Sequence, residues 1–210
     1  MNSALPQVRL LLVDDHPLMR EGIAAVLQGQ PDMVVVGEAA NGVEAVERYG
    51  ELRPDVTLMD LQMPRMDGLD AIQLIRGKWP DARLLVLTTY RGDIQAWRAL
   101  KEGAAGYLVK TTLRSSLVEA IRTVHAGNRW VPSDIAVDLA RHAGDEMLTE
   151  REIEVVRCIA LGHSNREIGA LLSVTEDTIK ARVKSILLKL HARDRTHAVT
   201  ISLQRGLLQL

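Results

Sequence analysis

The sequence predicts an α/β domain built on a doubly wound, parallel five-stranded sheet, followed by a small all-α helix-turn-helix domain. Short apolar runs alternate with helical stretches through the first three-fifths of the chain. The strand signals then stop and the pattern turns purely helical. The charge changes with it. Residues 1–147 hold 16 Lys and Arg against 20 Asp and Glu, a balance of −4, while residues 148–210 hold 10 against 7, or +3. Within the tail, residues 178–205 hold 7 basic side chains and 1 acidic one. An acidic first part and a locally basic tail imply two domains with different partners.

In chain order, the expected strands are "VRLLLV", "MVVVGEA", "VTLMD", "RLLVLT" and "GYLVK". The first and fourth are apolar on both faces, as parallel strands covered by helices must be. The helices between and after them are expected at Leu18–Gln28, Gly42–Tyr49, Leu69–Lys78, Ile94–Glu102 and Leu113–His125. We place this first domain at residues 1–126. A linker follows at 127–147, with a short helix, Ile135–Arg141, and a loop at "HAGDEM". The last domain spans 148–210, with helices near 150–160, 165–172, 176–190 and 195–206. "TERE" and "SNRE" are capping boxes, Gly162 suits a helix C-terminus, and Thr175 suits an N-cap.

No apolar run is long enough to span a bilayer. The N-terminal stretch lacks the pattern of a signal peptide. A single cysteine, Cys158, rules out an intrachain disulfide. Together these features lead us to expect a cytoplasmic setting.

In an open parallel sheet, ligands bind beyond the carboxyl ends of the strands. "LLLVDDHP" ends the first strand on Asp14 and Asp15, the third ends on Asp60, the fourth on Thr88 and the fifth on Lys110. Carboxylates crowded together repel unless a cation lies among them, and this oxygen-rich set suits Mg²⁺. Lys110 and Thr88 are suited to phosphoryl oxygens. A carboxylate beside such a cation can attack phosphorus and form an acyl phosphate. His16, with no second histidine at ligand spacing, reads as a polar loop residue. A phosphohydrolase often needs a second acid two residues after the nucleophile, and Gln62 stands there. The chain is therefore not expected to be an enzyme.

In "EDTIKARVKSILLK", Ile179, Val183, Ile186 and Leu190 share one helical face. Lys180, Ala181, Lys184 and Ser185 lie on or beside the opposite face, flanked by Arg182 and Lys189. A helix with an apolar back and a small, basic front fits a DNA major groove. Asp177 and Leu188 fit that front less well.

These motifs carry a resemblance. "VDDHP", "LMDLQMPRMDG", "LTTY" and "GYLVK", in that order, resemble the receiver domain of two-component response regulators. The stretch from "LTEREIEVV" to "RDRTHAV" resembles the LuxR/NarL-type DNA-binding domain. The resemblance implies strand order 2-1-3-4-5 and Asp60 as phospho-acceptor. It implies that Asp15, Asp60 and the backbone carbonyl of Gln62 ligate Mg²⁺, with Asp14 helping through water. Thr88 and Tyr107 match the family's switch pair, the tyrosine turning inward on phosphorylation, and Lys110 matches the lysine at the acyl phosphate. Lys180, Ala181 and Lys184 would face bases, and Asn165, Thr178 and Arg182 would meet phosphates. The implied partners are a sensor histidine kinase and double-stranded DNA, bound by a homodimer on two-fold half-sites. The receiver would also lose its own phosphate slowly.

Overall fold

The computed structural model describes residues 7–89, 93–141 and 146–208. They form two compact units whose main division falls between Ser133 and Asp134. The first unit runs β1 (Val8–Val13), α1 (Pro17–Gln28), β2 (Met33–Ala39), α2 (Gly42–Leu52), β3 (Val56–Asp60), α3 (Gly68–Lys78), β4 (Leu84–Thr88), α4 (Asp93–Lys101), β5 (Gly106–Val109) and α5 (Leu113–His125). The sheet is parallel throughout, in the order β2-β1-β3-β4-β5. The strand order carried by the resemblance is the observed one.

The central strands explain the sheet. β3 and β4 are buried at every residue, and β1 at all but Arg9. Leu10, Leu12, Leu58, Leu85 and Leu87 pack against Ile23 and Leu27 of α1 and Leu117, Ile121 and Val124 of α5. Two-sided burial leaves charged side chains room only where strands end, which is where the acids lie. Lys110 differs slightly from expectation. It opens a 3₁₀ turn, Lys110–Thr112, instead of closing β5.

α2 runs past its expected end at Tyr49 to Leu52. Arg53 then turns the chain in the left-handed region, φ 45°, and its guanidinium lies 4.6 Å from the Trp79 ring centroid. Tyr49 packs on the same ring at 4.9 Å. Cation–π and ring contacts offset the unfavourable backbone of the turn.

Beyond α5, Trp130 adds to the edge of the sheet. Its N–H donates to the Ala105 carbonyl at 3.1 Å, and its carbonyl accepts from Tyr107 N–H at 2.8 Å. The linker sequence gave no strand signal there, because a single bridged residue has no periodicity.

The second unit holds α6 (Ser133–Arg141), α7 (Glu150–Ala160), α8 (Asn165–Leu171), α9 (Glu176–Lys189) and α10 (Arg195–Gln204). Its core joins Val155, Val156, Ile159, Ile168, Ile179, Ile186 and Ala198. Both capping boxes form, Thr149 with Glu152 and Ser164 with Glu167. Gly162 has φ +88°, the left-handed conformation that lets the chain leave α7 and enter α8. Thr175 accepts from Thr178 N–H and caps α9. Of the expected loop "HAGDEM", residues 142–145 lie outside the described residues, as does Tyr90 of "LTTY".

Candidate functional site

At the carboxyl edge of the sheet, Asp14 and Asp60 are both buried, with relative exposures of 1% and 3%. The Lys110 ammonium bridges them, 2.7 Å from Asp14 Oδ2 and 2.8 Å from Asp60 Oδ2. Burial pushes the Asp60 carboxyl above its usual value. Lys110 and the Gln62 N–H pull it back, while the Asp14 charge adds to the rise. Burial would lower the Lys110 ammonium, but its hydrogen bonds to and attraction for Asp14 and Asp60 outweigh that and raise it. The lysine is therefore held as a cation between two acids. Thr88 is buried at the end of β4. Asp15 is partly exposed beside them.

The acid set fits a hard divalent cation. Ligand atoms of Asp14, Asp15, His16 and Asp60 all lie within 4.8 Å of one another. The carboxylates supply oxygen donors, and an ammonium already rests against two of them. The N–H of Gln62 donates to Asp60, which puts the Gln62 peptide at the same edge.

His16 is closer to the site than its sequence context suggests. Its ring Nδ1 lies 3.2 Å from Asp14 Oδ1 and 2.8 Å from Asp15 Oδ1, and its backbone N–H donates to Asp14. It is not a bystander of the loop. Arg20 is a residue that sequence reasoning missed. Its Nη1 donates to the Asp14 carbonyl at 2.5 Å, and its Nε donates to Glu38 at 2.7 Å. It pins the β1–α1 loop that carries both acids. The only signal in the sequence is its place one turn into α1.

Gly68 is required where it stands. A Cβ there would fall 2.1 Å from the Asp60 carbonyl oxygen, and the Gly68 N–H donates to Leu61 O at 2.9 Å. The "MDG" of the motif lets α3 begin against the end of β3.

Tyr107, the second residue of β5, is fully buried.

In the second unit, α9 buries Ile179 and Ile186, with Val183 half-buried, and Leu190 at its C-cap is buried as well. Lys180, Ala181 and Lys184 are exposed along the opposite face, together with Asp177 and Leu188. Thr178 and Arg182 are half-buried at its sides, and Asn165 is half-buried at the start of α8. Two residues placed on or beside the front belong elsewhere. Ser185 Oγ donates to Glu152 Oε1 at 2.7 Å, and Lys189 Nζ reaches Glu152 Oε2 at 3.0 Å. Glu152 is a buried carboxylate at the start of α7, and such a charge draws every donor within reach. Burial would raise its pKa. Hydrogen bonds from the Thr149 N–H, Ser185, Lys189 and the Thr149 hydroxyl prevail and hold it at about 2.

Comparison with known families decides what this pairing of units is. The family model described as response regulator receiver domain matches residues 10–122, and that of bacterial regulatory proteins, luxR family, matches 146–202. The chain is a two-component response regulator of the LuxR family. The response regulator protein VraR of Staphylococcus saprophyticus is 39% identical over 96% of this regulator and 99% of its own length. A LuxR-family response regulator from an Aurantimonas species matches 65% of the regulator and 98% of its own chain at TM-score 0.63 and 39% identity. The RcsB response regulator of Salmonella typhimurium, studied for its conformational dynamism in DNA interaction, matches 92% of the regulator and 98% of its own chain at TM-score 0.70 and 25% identity. Membership makes the regulator a signalling protein with a receiver and a DNA-binding domain, not a classical enzyme. A receiver implies a kinase partner. Among the described residues, no helix is long and apolar enough to cross a membrane.

Proposed function

We propose that a sensor histidine kinase phosphorylates Asp60 and that the modification controls sequence-specific binding of the second domain to promoter DNA. The observation that carries this reading is the Lys110 ammonium bridging Asp14 and Asp60 at 2.7 and 2.8 Å. An Asp60 carboxylate oxygen attacks the phosphorus of a phosphohistidine. A P–O bond forms, the P–N bond breaks, and the imidazole leaves with the bonding electron pair. Asp14, Asp15, Asp60 and the Gln62 backbone carbonyl would hold Mg²⁺, which supplies positive charge for the phosphoryl oxygens. Lys110 keeps its proton and can transfer its contact from Asp60 to the new phosphoryl group. Thr88, at the adjacent strand end, offers a hydroxyl to the same group.

Phosphorylation adds nearly two negative charges beside Asp14. Thr88 and Tyr107 would carry that change to the receiver surface. Water then removes the phosphoryl group slowly, without a substrate being turned over. Lys180, Ala181 and Lys184 would meet base edges, with Asn165, Thr178 and Arg182 at phosphates. The active form would be a cytoplasmic homodimer on paired half-sites.

Asp60→Asn tests the core of the reading. Incubation with Mg²⁺ and labelled acetyl phosphate should label the native protein and leave the variant blank. A variant labelled to the same extent would remove Asp60 as acceptor.

A further inference from the structure

Asp177 stands at the centre of the outward face of α9. At 100° per residue it lies half a turn around from Ile186, which is fully buried. Ala181, Lys184 and Leu188 follow within about 40° of its direction. Its side chain is 90% exposed, and Lys180 Nζ lies 3.1 Å from its Oδ1. Glu176, also 3.1 Å from Lys180, sits about a quarter turn to the side.

We infer that Asp177 and Lys180 together read a C·G base pair. The inference rests on the proposal that this face of α9 enters the major groove. Helix N-terminal residues contact base edges in that arrangement, and a residue at the middle of the face looks at the floor of the groove, not at its phosphate walls. A carboxylate there accepts hydrogen bonds and donates none. The major-groove donors are cytosine N4–H₂ and adenine N6–H₂. Adenine sets its donor beside the N7 acceptor, whose lone pair repels a second carboxylate oxygen. Cytosine sets its donor beside guanine O6 and N7, which call for a donor. The Lys180 ammonium, already against Asp177, supplies it. In A·T the N6 donor lies between two acceptors, N7 and thymine O4, whereas in C·G the donor lies to one side of guanine O6 and N7; one acceptor beside one donor fits the C·G pattern best.

The same acid can act on sequence in a second way. Opposite any pair that shows it an acceptor, Asp177 is desolvated without a partner and adds its charge to that of the duplex. Specificity then comes from rejection as well as from attraction.

The test is selection from randomised duplexes by the full-length protein with Mg²⁺ and beryllofluoride, using the native chain, Asp177→Ala and Asp177→Asn. The native protein should recover a half-site with a C·G pair at one position, preferred over other pairs by about tenfold or more. Asp177→Ala should cut that preference to about twofold while leaving the other positions unchanged, and should bind non-cognate DNA more tightly. Asp177→Asn should move the preference at that position towards adenine, which an amide can bond at N6 and N7. Identical selected sites for all three proteins would overturn the inference and leave Asp177 as an acid of the first turn of α9. A native protein that recovers no site would remove the DNA reading of α9, and this inference with it. Both variants alter a fully outward side chain, so folding, checked by circular dichroism, should match the native protein.

Discussion

The two charged regions of this regulator are built on opposite principles. At the sheet edge, Asp14 and Asp60 are buried and the Lys110 side chain is only 7% exposed; the three come from three different strand ends and hold one another in place. On α9, Asp177, Lys180 and Lys184 are exposed, and Lys180 has its ion pairs one turn away in its own helix. The first set is fixed before any ligand arrives, because buried charges cannot be left unpaired. The second set is solvated, and only a partner will decide how its charges are used. Preorganisation suits chemistry on a small phosphoryl group. Adaptable exposed charge suits a polyanion whose sequence must be sampled.

The largest expected effect follows from the buried set. Lys110→Ala leaves two acids facing each other without a cation, and in EDTA it should cost the α/β unit about 3 kcal/mol. Tryptophan fluorescence during chemical denaturation can follow this, since Trp79, Trp97 and Trp130 all lie in that unit. Adding Asp60→Asn should recover much of the loss. An unchanged midpoint for Lys110→Ala would mean that the ammonium does not hold the acids together.

Next comes a buried charge in the helical unit. Glu152 is held at about 2 against an ordinary value of 4.5. A lowered folded pKa gives stability that is fully present above the unfolded pKa and is lost as pH falls through the folded one. The contribution, up to about 3 kcal/mol, should therefore disappear between pH 4.5 and about 2. Glu152→Gln should be less stable than the native protein at pH 6, and the two should converge as pH falls towards about 2. Circular dichroism of the helical transition measures it. Parallel curves across that range would show that Ser185, Lys189 and Thr149 do not stabilise the ionised form.

These effects also show what the sequence could reveal. The sheet-edge residues were legible because strand ends are marked by apolar runs stopping at polar residues, and Asp14, Asp60, Thr88 and Lys110 each stop one. The back of α9 was legible from its period. Ser185 and Lys189 were not, because Glu152 captures them from 33 and 37 residues away, and a helical wheel contains no other helix. Arg20 was hidden because it bonds the Asp14 backbone carbonyl, which leaves no side-chain signature. Trp130 was hidden because one bridged residue makes no pattern. Local rules identify which face of an element is apolar. They do not identify which distant polar group will claim a side chain at its margin.

The smallest effect separates the flank of α9 from its centre. Glu176 pairs with Lys180 at 3.1 Å, but it lies to the side of the outward face. Glu176→Gln should leave the denaturation midpoint unchanged, because exposed ion pairs contribute little. It should raise affinity for DNA by about a few-fold at low salt, since one charge that repels the phosphate backbone is gone. A flank residue has no base edge to read, so the gain should be the same for a selected site and for a scrambled duplex. Titrations of both duplexes at two salt concentrations measure the ratio. If the ratio shifts at a single base pair, Glu176 is the residue that looks into the groove, and the centre of the face lies about a quarter turn from Asp177.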